Sequence, residues 1–306
     1  MKRKLIKQGG GGGMTVYLPK KWIDLKNLKP GNEIDILEVG EGLLFSAETI
    51  LDKKEITIDL KSSEKKIIRT QLSDLYRLGY DKIKLVGVNK EQIEYVETSV
   101  EEFLLGVEIT GKGTDYLILE NVAEPSGKKQ ETLVRRMFLL IKETFELVKL
   151  DLAEGQVNNL KRVEKLTSKV GQYNNFCRRN ISKKKFTEER INFHWGVYTY
   201  LILIQSSLKH LCKFLAKQKS LVISKESLKL FNKLESEFDL LYSSFFKKDL
   251  SGLEKVNNSC RKVLYGEVYS LLKKSKGEGT IVLYYFGELS RLIYLTTSPM
   301  LGILLE

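Results

Sequence analysis

A chain of 306 residues is long enough for two or three domains, each with its own core. Its 42% hydrophobic and 29% charged content is that of a folded soluble protein rather than a disordered one, and its longest apolar run, around Val197 to Ile204, falls far short of a bilayer span. No apolar core follows the N-terminal charges, so no signal peptide is expected, and three widely spread cysteines, Cys177, Cys212 and Cys260, fit a reducing cytoplasm better than a disulfide framework.

The first fifty residues carry the sharpest pattern. Lys2, Arg3, Lys4 and Lys7 lie in a short alternating run, followed by five glycines, Gly9 to Gly13, and then by Val16-Tyr17-Leu18-Pro19-Lys20-Lys21-Trp22. A compact helical turn, the turn signal Leu28-Lys29-Pro30-Gly31-Asn32-Glu33 and a strand pattern in Ile34, Ile36 and Val39 complete the stretch. Two β-hairpin halves joined by one helical turn is the reading, because apolar residues alternate on both sides of Pro19 while Pro30-Gly31 supplies turn chemistry. Residues 1–29 hold eight Lys/Arg against the single acid Asp24, a net +7 out of a chain total of +12. Charge so concentrated is the footprint of a polyanion site, in which cations neutralise phosphates and glycines let the backbone approach them. A basic, solvated N-terminal arm is the competing reading of the same charges.

Val16-Tyr17-Leu18-Pro19-Lys20 and Leu28-Lys29-Pro30-Gly31-Asn32 resemble the signature of the SpoVT/AbrB family, also seen in MazE-type antitoxins, with Asn32 in place of the usual Asp. The resemblance covers the first sixth of the chain. It implies a swapped-hairpin homodimer that binds double-stranded DNA over residues 1–48. Val16, Leu18, Ile34 and Ile36 would form its dimer core, and Lys2, Arg3, Lys4, Lys7, Lys20 and Lys21 would face the duplex.

After a polar link, Thr49 to Lys54, a small α/β segment is predicted over 54–122. Glu55 to Leu60 alternates as a strand. Ser63-Glu64 reads as a helix cap, Ile67, Ile68, Leu72, Leu75 and Leu78 as one helical face, and Gly79 as its stop. Lys82 to Val86 is the next strand; Asn89 with Gln92 forms a capping box before the stripe Ile93, Val96, Val100 and Phe103. Strands near Val107 to Thr110 and Tyr116 to Glu120 flank a Gly111-Lys112-Gly113 turn, which opens no helix and is read as a hairpin rather than a phosphate loop. The β-α-β-α-β-β order implies one sheet with both helices on one face.

Ala123-Glu124-Pro125-Ser126-Gly127 marks a linker, beyond which the periodicity is helical throughout, over 128–306. Three stripes are read in 128–220: Val134, Met137, Phe138, Ile141, Phe145 and Val148; Val163, Leu166, Val170, Tyr173 and Cys177; and, from a Thr187-Glu188-Glu189 cap, Ile191, His194, Tyr198, Leu201, Gln205, Leu208, Cys212 and Leu215. The pattern restarts in 221–306. Ser224 caps Leu228, Phe231, Leu234, Phe238, Leu241 and Phe245; then come Leu253, Val256, Cys260, Val263 and Leu271; then a helix from Ile281 to Thr297 introduced by Gly277 to Gly279. Two three-helix repeats follow from this order.

The whole series, an α+β multidomain chain with an N-terminal hairpin domain, a small α/β segment and a doubled three-helix bundle, resembles the archaeal PhoU-type phosphate uptake regulators. That family implies control of phosphate transport and, with the fused hairpin, control of transcription. PhoU helices commonly carry Glu/Asp-x-x-x-Asp pairs that hold metal clusters, and this chain departs from that pattern. Glu164 is followed by Ser168 and Gln172; Gln205-Ser206-Ser207-Leu208-Lys209-His210 stands where Glu-Arg-Ile-x-Asp-His is expected; Asn257, Asn258 and Ser259 and then Ser290-Arg291-Leu292-Ile293-Tyr294 also lack the acid pair. The reading is therefore a bundle with no metal and no cofactor. Glu235, Glu237 and Asp239 are expected on a solvated helix face. His194 and His210 are too far apart on one helix to share an ion, and no base-and-orienter pattern accompanies a cysteine or serine, so an enzyme is not expected. The leading reading is a cytoplasmic, dimeric, DNA-binding regulator whose helical half receives a signal through a protein partner. The alternative is an adaptor that binds a phosphate transporter or sensor kinase, with the N-terminal domain serving only to dimerise it. A toxin-neutralising antitoxin suits the hairpin but not the long helical remainder.

Overall fold

Apolar burial divides this chain unevenly: every hydrophobic side chain in the buried core belongs to Leu60 or to a residue after it. In the computed structural model, which describes residues 2–7, 13–39, 42–47, 53–123, 128–183, 190–218 and 223–305, the chain separates into two units, Met1–Lys53 and Lys54–Glu306. The glycines 9–12, part of the link at 48–52, the linker at 124–127 and the Thr187-Glu188-Glu189 cap lie outside the described residues.

In the first unit β1 (Ile6–Lys7) pairs antiparallel with β2 (Met14–Thr15), and β3 (Asp35–Val39) with β4 (Gly42–Ser46). Between the two ladders lies α1 (Lys20–Leu25), opened by Pro19, whose carbonyl accepts the Trp22 and Ile23 N–H groups. Proline suits this boundary because its own missing N–H would have no helical partner there. Pro30 and Gly31 form the centre of a tight turn: Gly31 sits at φ +92°, a left-handed value that favours glycine, and Asn32 donates its N–H to the Lys29 carbonyl. Asn32 Oδ1 in turn accepts the Lys29 N–H at 2.7 Å, so the amide closes the turn as an aspartate would.

The second unit opens with β5 (Glu55–Asp59), α2 (Lys65–Arg77), β6 (Lys82–Val86), α3 (Lys90–Phe103), β7 (Val107–Lys112) and β8 (Tyr116–Asn121). Its sheet has the order β5-β6-β8-β7, with β5 and β6 parallel and the remaining pairs antiparallel. Ile83, Leu85, Leu117 and Leu119 turn to the covered face, while Lys82 and Glu120 pair at 3.2 Å among the alternate residues. The Asn89–Gln92 capping box forms as the sequence predicts. Three local expectations change. On α2, Ile67 and Leu78 are exposed and Tyr76 is fully buried, because the face that meets the sheet and the helices beyond it is the one carrying Ile68, Leu72, Leu75 and Tyr76. No side chain caps α2; Ser62 Oγ accepts the Glu64 N–H instead. The Gly111-Lys112-Gly113 turn also shrinks, since β7 continues through Gly111 and Lys112 after a register shift between Ile109 and Gly111. A bulge absorbs the extra residue, and a Cβ at Gly111 would meet the Ile118 side chain at 2.9 Å.

The remainder is helical: α4 (Lys128–Glu154), α5 (Leu160–Lys183), α6 (Ile191–Leu215), α7 (Lys225–Phe246), α8 (Leu250–Lys262), a π-helical stretch (Val263–Val268) leading into α9 (Tyr269–Leu272), and α10 (Glu278–Leu304). The buried positions repeat. Val197, Leu201, Ile204, Leu208, Leu211 and Leu215 of α6 return 85 positions later as Val282, Phe286, Leu289, Ile293, Thr296 and Met300 of α10 (282 − 197 and 300 − 215). Phe138, Ile141, Phe145 and Val148 of α4 return after 93 positions in α7 (231 − 138), and Val163, Leu166, Val170 and Tyr173 of α5 after 90 in α8 and the first residue of the π-helical stretch (253 − 163). Corresponding helices pack on one another, α6 on α10 and α4 on α7, as the two halves of a two-fold dimer would. Phe145 and Phe238, equivalent positions, meet with ring centroids 5.4 Å apart. Ser224 caps α7 through the Ser227 N–H, and Asp249 caps α8 through that of Gly252. The last helix outruns its expected Ile281 to Thr297 at both ends and passes through Pro299, which lies against Gly196, where a Cβ would meet the ring at 3.0 Å.

Helices α2 and α3 rest on α5, and Phe176 of α5 joins the core of the sheet, so the α/β segment and the bundle pack as one body. A buried ion pair sets that contact. Arg179, 2% exposed, holds Asp81 with Nη2 and donates to the Tyr80 carbonyl at 2.7 Å; the same carboxylate accepts from Lys183 Nζ at 2.9 Å and from the Lys54 N–H at 3.0 Å. Burial alone would raise the Asp81 carboxyl, but Lys183, the Lys54 N–H and Arg179 outweigh it and hold it below the usual carboxylate range. Its contribution is therefore complete above the unfolded carboxylate pKa of about 3.9 and is lost as pH falls towards the lower folded value. Asp81→Asn is expected to cost the 54–306 unit about 3–5 kcal/mol in urea denaturation at neutral pH and to flatten the acid limb of its stability profile.

Candidate nucleic-acid interface

Of the six cations expected to face DNA, Lys2, Arg3 and Lys4 lead into β1, Lys7 lies in β1, and Lys20 and Lys21 occupy the first turn of α1. All six are exposed, and none makes an ion pair or hydrogen bond among the described residues. No acid stands in the first turn of α1. These charges are thus solvated and uncompensated, the state in which Lys and Arg can exchange counterions for phosphates.

Val16, Leu18, Ile34 and Ile36, the expected dimer core, are not brought into a core within one chain. Val16 is 37% and Ile36 55% exposed, Leu18 and Ile34 are half-buried, and Leu5, Ile6, Met14, Tyr17, Leu25 and Leu43 are exposed beside them in sequence. One feature went unread in the sequence. From Pro30 to Asp52 there are six acids, including Glu33, Asp35 and Glu38, and no Lys or Arg. The positive charge therefore belongs to β1 and the residues before it and to α1 and the residues after it, and most of the negative charge to the stretch from Pro30 onward. The signal was available as a change of sign at the Pro30-Gly31 turn.

In the bundle, the positions that lack the acidic pairs hold ordinary side-chain bonds. Gln205 is fully buried and donates to Thr144 Oγ1 at 3.1 Å and Thr167 Oγ1 at 2.9 Å. Asn257 donates to Thr297 Oγ1 at 2.8 Å, Ser290 to the Cys260 carbonyl at 2.8 Å, and Ser207 to Glu288 at 2.5 Å. Glu164 pairs with Lys213 at 2.7 Å. Among the described residues, no three His, Cys, Asp or Glu side chains are grouped to hold a metal ion. Glu235, Glu237 and Asp239 are not a solvated face: α7 lies between α4 and α8, so Glu235 meets Lys149 at 2.6 Å, Asp239 meets Lys142 at 3.0 Å, and Glu237 accepts the Ser259 hydroxyl. The thiols of Cys177, Cys212 and Cys260 are all buried; burial pushes the first two up to about 12 and the third higher still, so none is a thiolate near neutral pH.

Because the six cations lean on nothing, replacing Lys20 and Lys21, or Lys2, Arg3 and Lys4, with Ala is expected to shift stability by no more than about 0.5 kcal/mol in a denaturant titration. A larger loss would mean that these side chains serve the fold rather than a ligand.

No helix among the described residues is long and apolar enough to cross a membrane. Compared with family models, with curated proteins and with solved structures, the chain finds no match in any of the three.

Proposed function

We propose that this chain is a non-catalytic, homodimeric, DNA-binding regulator in the cytoplasm, of the phosphate-uptake type. Residues 1–48 pair with those of a second copy in a swapped-hairpin domain, and the helical bundle receives a signal or a protein partner. One observation carries the reading. Among the described residues, the first unit exposes six cations with no bonded partner on β1, α1 and the residues before β1, yet contributes no side chain to a buried hydrophobic core. Two-stranded ladders of two and five residue pairs are not stable alone in water, so the unit needs a partner to cover Val16, Ile36 and their neighbours. A second copy does this with the same apolar surface and doubles the positive charge presented to a duplex.

The adaptor reading is favoured by a different observation, the run of acids from Glu33 to Asp52 without a cation, which leaves residues 1–53 with nine Lys/Arg against seven acids. A surface carrying both signs dimerises as readily as it binds a polyanion.

Titrating the full chain with duplex DNA at several salt concentrations separates the two. If the six cations of each of the two copies contact phosphates, log affinity falls against log salt with a slope of about −11, and each Lys→Ala change, present in both copies, reduces the magnitude of that slope by about 1.8. An intact dimer that ignores DNA at low salt would sink the regulator and leave the adaptor. Ile36→Asp is expected to give a monomer in sedimentation and to abolish DNA binding with it; a dimer that persists would place the pairing surface elsewhere.

A further inference from the structure

Arg178 follows Arg179 on α5 but has no carboxylate partner. It is 7% exposed, and its donors go to neutral oxygens: Nε to Asn174 Oδ1 at 2.7 Å and Nη2 to Thr199 Oγ1 at 2.7 Å. The Trp195 ring lies over its guanidinium at 4.3 Å, fixing the plane of the group. Its Nη1 finds no acceptor among the described residues and is not among the unpartnered atoms sealed from solvent. A second guanidinium enters from α2: Arg77, half-buried, donates Nε to Asn175 Oδ1 at 2.9 Å and Nη1 to Asp74 at 3.0 Å, leaving Nη2 without an acceptor among the described residues. Consecutive asparagines on α5 thus orient two arginines, with one carboxylate, Asp74, between two positive charges. Burial first, and Arg77 second, bring Arg178 down to about 10, against the opposing pull of Asp74.

A guanidinium placed in low dielectric among neutral acceptors is costly, and the cost is recovered when an anion completes its fork. We propose that Arg178 and Arg77 form an oxyanion-binding site at the seam of α2, α5 and α6, taking one small anion such as phosphate or sulfate on their free Nη edges. Arginine rather than lysine suits this task, since its planar fork stays charged and offers parallel donors to two oxygens of one ligand. The deep burial of Arg178 limits the occupant to a free ion or the terminal group of a larger phosphate ester. An anion there would touch the α/β segment through Arg77 and the bundle through Arg178. The proposal stands independently of DNA binding.

The two tryptophans of the chain are Trp22 and Trp195, so Trp22→Phe makes Trp195, stacked on Arg178, the single fluorophore. Titrating this full-length variant with inorganic phosphate, sulfate, glycerol phosphate and acetate, against sodium chloride at equal ionic strength, is expected to give a saturable fluorescence change with phosphate or sulfate. Saturation by glycerol phosphate as well assigns the site to a terminal phosphate group, and saturation by inorganic ions alone assigns it to the free anion. Arg178→Met should abolish the change, and Arg77→Met, at a residue buried less deeply, should weaken binding by about tenfold or more. The proposal is overturned if phosphate and sulfate do no more than chloride, if acetate alone saturates, or if Arg77→Met binds with unchanged affinity.

Discussion

One nearly dry ion pair, Arg179 against Asp81, decides how the largest part of this protein is put together. A buried pair of this kind adds little net stability over an apolar contact of the same size, because desolvation consumes most of the Coulombic gain. What it does add is intolerance of error: with either partner displaced, an uncompensated charge stays in the interior. The carboxylate also accepts from Lys183 and from the Lys54 N–H, so the C-terminal half of α5, the start of β6 and the first residue of the 54–306 unit are fixed to one another at a single side chain. Tyr76 reinforces the arrangement, its ring under the Arg179 guanidinium at 5.0 Å and its hydroxyl on the Leu105 carbonyl at 2.7 Å. The α/β segment is therefore joined to the helices by specific polar geometry as well as by apolar area.

The bundle repeats its frame and not its chemistry. By the offsets of 93, 90 and 85 positions, Thr144, Thr167 and Gln205 of the first half correspond to Glu237, Asn257 and Ser290 of the second. In the first half Gln205 Nε2 joins the three by donating to both threonine hydroxyls where α4, α5 and α6 meet, while its own buried Oε1 has no partner among the described residues. In the second they disperse, Glu237 to Ser259, Asn257 to Thr297 and Ser290 to a backbone carbonyl. Apolar positions are held by the shared requirement of close packing, whereas a polar layer need only satisfy its own donors and acceptors, so the two halves are free to solve that problem differently.

What could be read from the sequence follows the same division. Elements whose signal is local came through: the Asn89–Gln92 capping box, the Ser224 cap, the strand at 82–86 and the stripes of α4 to α8 all depend on neighbours a turn or less apart. Features that depend on which face meets a distant element did not. Tyr76 was passed over for Ile67 and Leu78 because only the arrival of α5 decides which side of α2 is interior, and Glu235 and Asp239 were placed in water because their lysine partners lie 86 and 97 positions earlier (235 − 149 and 239 − 142). The Arg77–Arg178 pairing was illegible for the same reason. In the candidate interface, the cations were legible as charge, and their lack of partners is a property of the fold.

The two units obey opposite rules, and the contrast bears on how the chain works. From Leu60 onward, polar groups that leave the surface are nearly all answered by another group of the same chain, and the stripes of every long helix are covered. In the first unit, among the described residues, apolar side chains stand exposed, and Lys2, Lys4, Lys7, Lys20 and Lys21 have no acid against them. Along the sequence of 1–53, eight of the nine cations come before the Pro30-Gly31 turn and six of the seven acids after it. On the reading proposed above, a second copy meets the hydrophobic requirement and DNA the electrostatic one. These are two different contacts, an apolar one that completes the fold and an ionic one that depends on salt, and on that reading the first must form before the second has a fixed surface to use.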